Sequence, residues 1–262
     1  MERTPPRGGL SGGVVAEWLR RGLQILVRRF DSGRRLHLSG GDLMIDFAQA
    51  RRMMVDSQLR TFDVNDIPVL DAFDSVPRER FVPEGRESLA YIDQDLLVGA
   101  GSVRRFMLSP MILARMIQTL AVGPGTRVLD VAAGRGYASA ILATLGAKVT
   151  ALESDPDLAG AARETLRSLG FEVAVVEGPL ADGVPQAAPF EAILVNGAVE
   201  VRPDGLLHQL AEGGRLVCVQ GRGRSAKATI YVRSGDAFGI RTVFDAAAPS
   251  LAEFAATPGF VF

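Results

Sequence analysis

A chain of 262 residues with 47% hydrophobic side chains has room for one large α/β core and a small appendage, but not for two full domains. Its net charge of −1 leaves no global basic footprint for nucleic acid or an anionic membrane, and neither partner is expected. The single cysteine, Cys218 in the apolar run LVCV, excludes an intramolecular disulfide and any multi-cysteine metal site; with no apolar run of about eighteen residues, a cytoplasmic protein is expected.

Residues 1–43 differ in composition, with eight arginines against four acids. Val15, Trp18, Leu19, Leu23, Leu26 and Phe30 recur at near-helical spacing, a basic amphipathic helix that suits a membrane surface or a partner. The alternative is that this extension is not native: Gly40-Gly41-Asp42-Leu43 can be encoded as a ribosome-binding site placed before a start codon at Met44. His37 and His208 are isolated in the sequence, which argues against a metal site.

From Met44 the pattern predicts helices over 47–60 and 63–76, the second ended by Pro77. Residues 88–106 read as irregular, with Gly99 and Gly101 as hinges, and 109–122 as a third helix with Ser109 as N-cap and Pro110 in the first turn. Strand-like and helix-like segments then alternate: strands over 127–133, 148–153, 172–178, 190–198 and 215–221, and helices over 136–146, 155–170 and 204–214. Short connections between them imply a doubly wound, mostly parallel α/β sheet, Rossmann-like, and 228–235 with 239–246 an antiparallel edge pair. Three parts follow: the extension 1–43, an N-terminal helical cap over 44–120, and a cofactor-binding core over 121–262.

In such a sheet a ligand binds beyond the carboxyl ends of the strands, and the turn after the first core strand is its usual seat. Gly134 and Gly136 let backbone approach a ligand ahead of a helix N-terminus, and Glu153, nineteen residues after Gly134, can accept both hydroxyls of a ribose. With Ser139 as a small third residue the pattern also approximates a dinucleotide site. Asp130 argues against that, because a carboxylate at the lip of the strand repels a pyrophosphate and attracts the ammonium of S-adenosylmethionine.

VPRERFVP (76–83), LAYID (89–93), SPMILARM (109–116), RVLDVAAGRGY (127–137), KVTALE (148–153), APFEAILVNGA (188–198) and EGGRLVCVQG (212–221) occur in the order and approximate spacing of a known family. From Met44 to Phe262 the chain resembles the protein-L-isoaspartate (D-aspartate) O-methyltransferases, class I enzymes dependent on S-adenosylmethionine. The resemblance implies methylation of the α-carboxyl of isoaspartyl residues in damaged proteins or peptides. It also implies a cofactor site at Asp130, Ala132, Ala133, Gly134, Gly136, Tyr137, Glu153, Ser154, Gly178, Pro179, Leu180 and Asn196. Ala132 replaces the first glycine of the family's turn. Leu108 falls where the family carries a serine near the substrate carboxylate, with Ser109 one place later, and Gly178-Pro179-Leu180 replaces a Gly-Asp-Gly segment. Backbone groups and Leu180 packing are then expected to hold the adenine. An acceptor carboxylate is ionised at neutral pH and needs no general base; Arg104 and Arg105 are candidates to clamp it and Ser109 to donate a hydrogen bond to it. Two other readings stay open: a methyltransferase with a different acceptor, and a cofactor-binding protein without turnover.

Overall fold

A computed structural model describes residues 45–101 and 103–256. The amphipathic extension, His37 and the expected start at Met44 lie outside the described residues.

Helix α1, Phe47–Met54, begins where the Asp46 carboxylate accepts the Gln49 amide at 3.0 Å, and the chain stays helical through Phe62. Helix α2, Ile67–Ser75, is capped in the same way by Asp66 and ends before Pro77. Next come strands β1, Leu96–Ala100, and β2, Arg104–Met107, an antiparallel pair in the stretch read as irregular. Helix α3 is Pro110–Leu120. The core follows as β3 Arg127–Val131, α4 Tyr137–Thr144, β4 Lys148–Glu153, α5 Pro156–Ser168, β5 Ala174–Glu177, β6 Phe190–Val199, α6 Asp204–Leu207, β7 Leu210–Gln220, β8 Lys227–Ser234 and β9 Ala237–Asp245.

The sheet order is β5-β4-β3-β6-β7-β8-β9, parallel from β5 to β7 and antiparallel at β7–β8 and β8–β9. This is the expected doubly wound sheet with its antiparallel edge. Period-two alternation divides its side chains between two faces. Val128, Leu194, Val217 and Val219 join one buried cluster with Met54, Leu70, Phe73 and Ile117 from the preceding helices. Leu129, Ile193, Val195, Leu216 and Cys218 join the other with Leu206, Leu207 and Phe254. Cys218 is fully buried, as expected, and burial pushes its thiol up to about 12.

Two expectations are corrected. The turn of 88–106 is a hairpin because β2 alternates Arg105 and Met107 inward with Arg104 outward, a strand pattern hidden by the glycines around it. The helix expected over 204–214 is one turn, and β7 starts at Leu210 opposite Phe190. Gly213, at φ 71°, lies within β7, beyond the end of the helix, and the Gln209 side chain, bonded to Val184, Asp182 and Gly205, ties this corner to the loop after β5.

Candidate active site

Strands β3 and β6 are neighbours although β4 and β5 lie between them in sequence, so the chain reverses direction across the sheet at this pair. Their carboxyl ends, with Val131 beside Val195, are therefore the switch point where a ligand cleft opens. The turn leaving β3 is left-handed at Ala132 (φ 58°), Gly134 (φ 57°) and Gly136 (φ 93°). A Cβ at Gly136 would lie 2.9 Å from Leu166 Cδ1, so the second glycine also allows α5 to pack against the turn.

Asp130 is wholly buried, and both its oxygens are taken: Ser139 Oγ donates to one and Asn196 Nδ2 to the other, each at 2.5 Å. Burial is the main cause that pushes its carboxyl up to about 6, against the opposing pull of these two bonds. Asp130 therefore does not face the cleft; Asn196, which lines it, stands between. The sequence leads to an ammonium attracted to Asp130 directly or through water; in the structure the member of this pair that reaches the cleft is Asn196.

Glu153 is also wholly buried and is a hub of donors. Gly134 N and Ser154 N each reach it at 2.8 Å and Asp155 N at 3.2 Å, while Arg105 Nη2 pairs with Oε1 at 2.9 Å and Arg105 Nε with Oε2 at 3.1 Å. Arg105 Nη2 further touches Ser154 Oγ at 3.1 Å and Glu253 at 3.5 Å, and Ser154 Oγ donates to Glu253 at 2.9 Å. Arg105 is 1% exposed. It is an inward ion-pair partner and not the acceptor clamp expected of it; the strand geometry of β2 turns it away from solvent and leaves Arg104 outside.

Several other expectations also change. Ser109 stands at the N-cap of α3, but its side chain makes no capping bond; its amide donates to Asp95 at 2.8 Å, and Leu108, not Ser109, lines the cleft. Leu180 is fully buried among Leu152, Val184 and Phe190, so it is core and offers no face to an adenine, while Gly178 and Pro179 remain partly or fully exposed. Tyr137 lies beneath the Arg78 guanidinium, 4.7 Å from its ring centre, and edge-on to Phe81, closing one wall of the cleft. Ala132 and Ala133 form the cleft floor. Sequence reasoning passed over Arg135, which lines the cleft between the two glycines with an Nε that has no hydrogen-bond partner among the described residues. Its position inside the turn was the available signal. Glu253, from the distant C-terminal segment, had none.

The donor set of the turn, the buried acids at the ends of β3 and β4, and the Asn196 side chain at the cleft fit a cofactor with ribose hydroxyls and a cationic amino-acid end. Phosphate, by contrast, would meet the paired carboxylates Glu153 and Glu253 around Ser154. In the described arrangement the cleft beside Val98, Phe106 and Met107 encloses only about 20 Å³, room for about one water.

The model of the protein-L-isoaspartate (D-aspartate) O-methyltransferase family matches residues 49–246. The chain is 47% identical over 174 residues to the protein-L-isoaspartate O-methyltransferase of Methylorubrum populi, covering 66% of this chain and 80% of that protein. The chain belongs to this family. A second relative, protein-L-isoaspartate O-methyltransferase 2 of an Anaeromyxobacter species, is 44% identical over 65% of this chain and 70% of its own length. Among solved structures, a protein-L-isoaspartate O-methyltransferase superposes with TM-score 0.69 at 23% identity, covering 77% of this chain and 66% of its own. A beta-aspartate methyltransferase from Plasmodium falciparum in complex with S-adenosyl-L-homocysteine does so with TM-score 0.66 at 20% identity, over 78% and 98%. These structures support the class I methyltransferase fold. As a family member the chain is an S-adenosylmethionine-dependent O-methyltransferase of isoaspartyl type. Among the described residues no helix is long and apolar enough to cross a membrane.

Proposed function

We propose that this methyltransferase acts on protein or peptide chains carrying isoaspartyl residues, at the cleft between the ends of β3 and β6. The observation that carries the reading is the pair of buried acids, Asp130 and Glu153, flanking a turn with three left-handed residues. Asn196, oriented by Asp130, would hold the amino-acid end of S-adenosylmethionine, and Glu153 with Ser154 its ribose. The backbone of Gly178 and Pro179 is left for the adenine. The bound cofactor supplies an electrophilic methyl group.

The acceptor carboxylate is ionised at neutral pH, so the protein's task is alignment and exclusion of water rather than proton removal. Phe81, Phe106, Met107 and Leu108 supply apolar walls. Arg135 within the cleft and Arg104, exposed against the Phe106 ring at 5.5 Å, are the cations placed to meet an incoming carboxylate. A cytoplasmic setting is part of this reading, in keeping with an unpaired, buried Cys218.

Transfer of labelled methyl to an isoaspartyl peptide and to its aspartyl control tests the proposal. Label on the isoaspartyl peptide alone is expected; label on neither rejects it. A second reading, the same cofactor chemistry on another acceptor, rests on Leu108, which presents a hydrocarbon face to the cleft where a hydroxyl is expected. Retained cofactor binding with no label on either peptide would favour it.

A further inference from the structure

We infer that Arg105 is an internal plug of the cofactor site, and that the β1–β2 hairpin must withdraw it from Glu153 before the cofactor's ribose can bind. This rests on the reading of Glu153 as the ribose acceptor. Both Glu153 oxygens carry a guanidinium N–H, at 2.9 and 3.1 Å, so the carboxylate edge that would receive two hydroxyls is covered. The hairpin also lies directly on the glycine turn. A Cβ built on Gly134 would meet Val98 Cγ2 at 3.4 Å and Arg105 Cγ at 3.5 Å, ordinary packing distances that place the hairpin one side-chain atom above the turn. The adjoining cleft, walled on this side by Val98, Phe106 and Met107 of the same hairpin, has a volume of about 20 Å³, room for about one water.

The plug is built to leave. Glu153 retains the amides of Gly134, Ser154 and Asp155 once the guanidinium goes, so its charge is not stranded. Arg105 Nη1 has no hydrogen-bond partner among the described residues, so the closed state leaves a buried donor unsatisfied. The β1–β2 pairing is short and carries a register break between Leu97 and Gly99. Charge explains why a cation is the occupant: Glu153 and Glu253 converge on Arg105, and its withdrawal leaves an acidic corner suited to a positively charged cofactor. Apparent affinity is then the intrinsic affinity reduced by the fraction of molecules in the open state.

Calorimetric titration of the full chain with S-adenosylhomocysteine tests this, using wild type, Arg105→Met, Arg105→Lys and Glu153→Gln. Arg105→Met is expected to bind at least tenfold tighter than wild type, with Arg105→Lys between them and Glu153→Gln weakest. Arg105→Lys retains a buried cation and decides the matter if the methionine variant does not fold. Binding of the Arg105 variants equal to or weaker than that of wild type would overturn the plug and leave the Glu153 reading standing if Glu153→Gln still lowers affinity. No binding by any of the four would overturn both.

Discussion

The Asn196 side-chain amide bridges the two strands of the switch point, donating to Asp130 Oδ1 at 2.5 Å and to the Val131 carbonyl at 3.1 Å. The geometry makes Asn196 at once the partner that satisfies a buried carboxyl and the polar group that reaches the cleft. Asn196→Ala removes a donor from Asp130 while leaving Ser139 in place, and should cost about 2 kcal/mol. Urea unfolding checks it; a loss below about 0.5 kcal/mol would mean that water replaces the amide without cost.

Asp130 also sets a pH dependence. Its folded value of about 6 lies above the ordinary 3.8, so the folded state binds the proton more tightly. Stability from this group is therefore fully present at pH 3.8 and below, and is lost as pH rises through 6, by about 3 kcal/mol in total. Asp130→Asn does not titrate. Its stability relative to wild type should rise by about that amount between pH 4 and 7, and a difference that stays flat over this range would contradict the raised value.

Ala132 occupies φ 58° with a methyl group that is 1% exposed. Replacing it by glycine relieves about 1 kcal/mol of left-handed strain but removes a buried methyl worth about 0.8 kcal/mol and adds chain entropy, so Ala132→Gly should change stability by less than about 1 kcal/mol. A β-branched side chain has no such compensation, and Ala132→Val should cost about 3 kcal/mol or more. Thermal unfolding of the two variants distinguishes a backbone constraint from simple packing.

Arg78 is a buried cation held by carbonyls: Nε donates to Ala90 O and Nη2 to Leu108 O, both at 2.7 Å, above the Tyr137 ring. Desolvation lowers its pKa, and removing it would leave two buried carbonyls without donors. Arg78→Met should therefore cost about 3 kcal/mol or more. Because Leu108 and Tyr137 both line the cleft, affinity for S-adenosylhomocysteine should fall as well. Unchanged affinity in a folded variant would show that Arg78 serves the core alone.

Much of this molecule was legible in order along the chain. Alternating strand and helix segments, Pro77 as a stop, the Asp46 and Asp66 caps, and the edge pair are local signals, each decided within a few residues by backbone conformation or side-chain period. The glycine turn and the acids on either side of it were legible for the same reason. The short α6 was not, because the pairing of Leu210 with Phe190 overrides a helix-favouring run.

What the tertiary structure alone decided is where the charges point. Arg105 and Glu153 are 48 positions apart, and nothing near either residue shows that an outward-looking loop is a strand that carries the arginine inward. The same holds for Asp130, a buried partner of Asn196, and for Leu180, taken into the core. Periodicity and turn chemistry are properties of neighbouring residues and survive in the one-dimensional chain. Ion pairs and burial depend on which distant segments meet, and here those meetings determine both what the cleft can hold and what holds it closed.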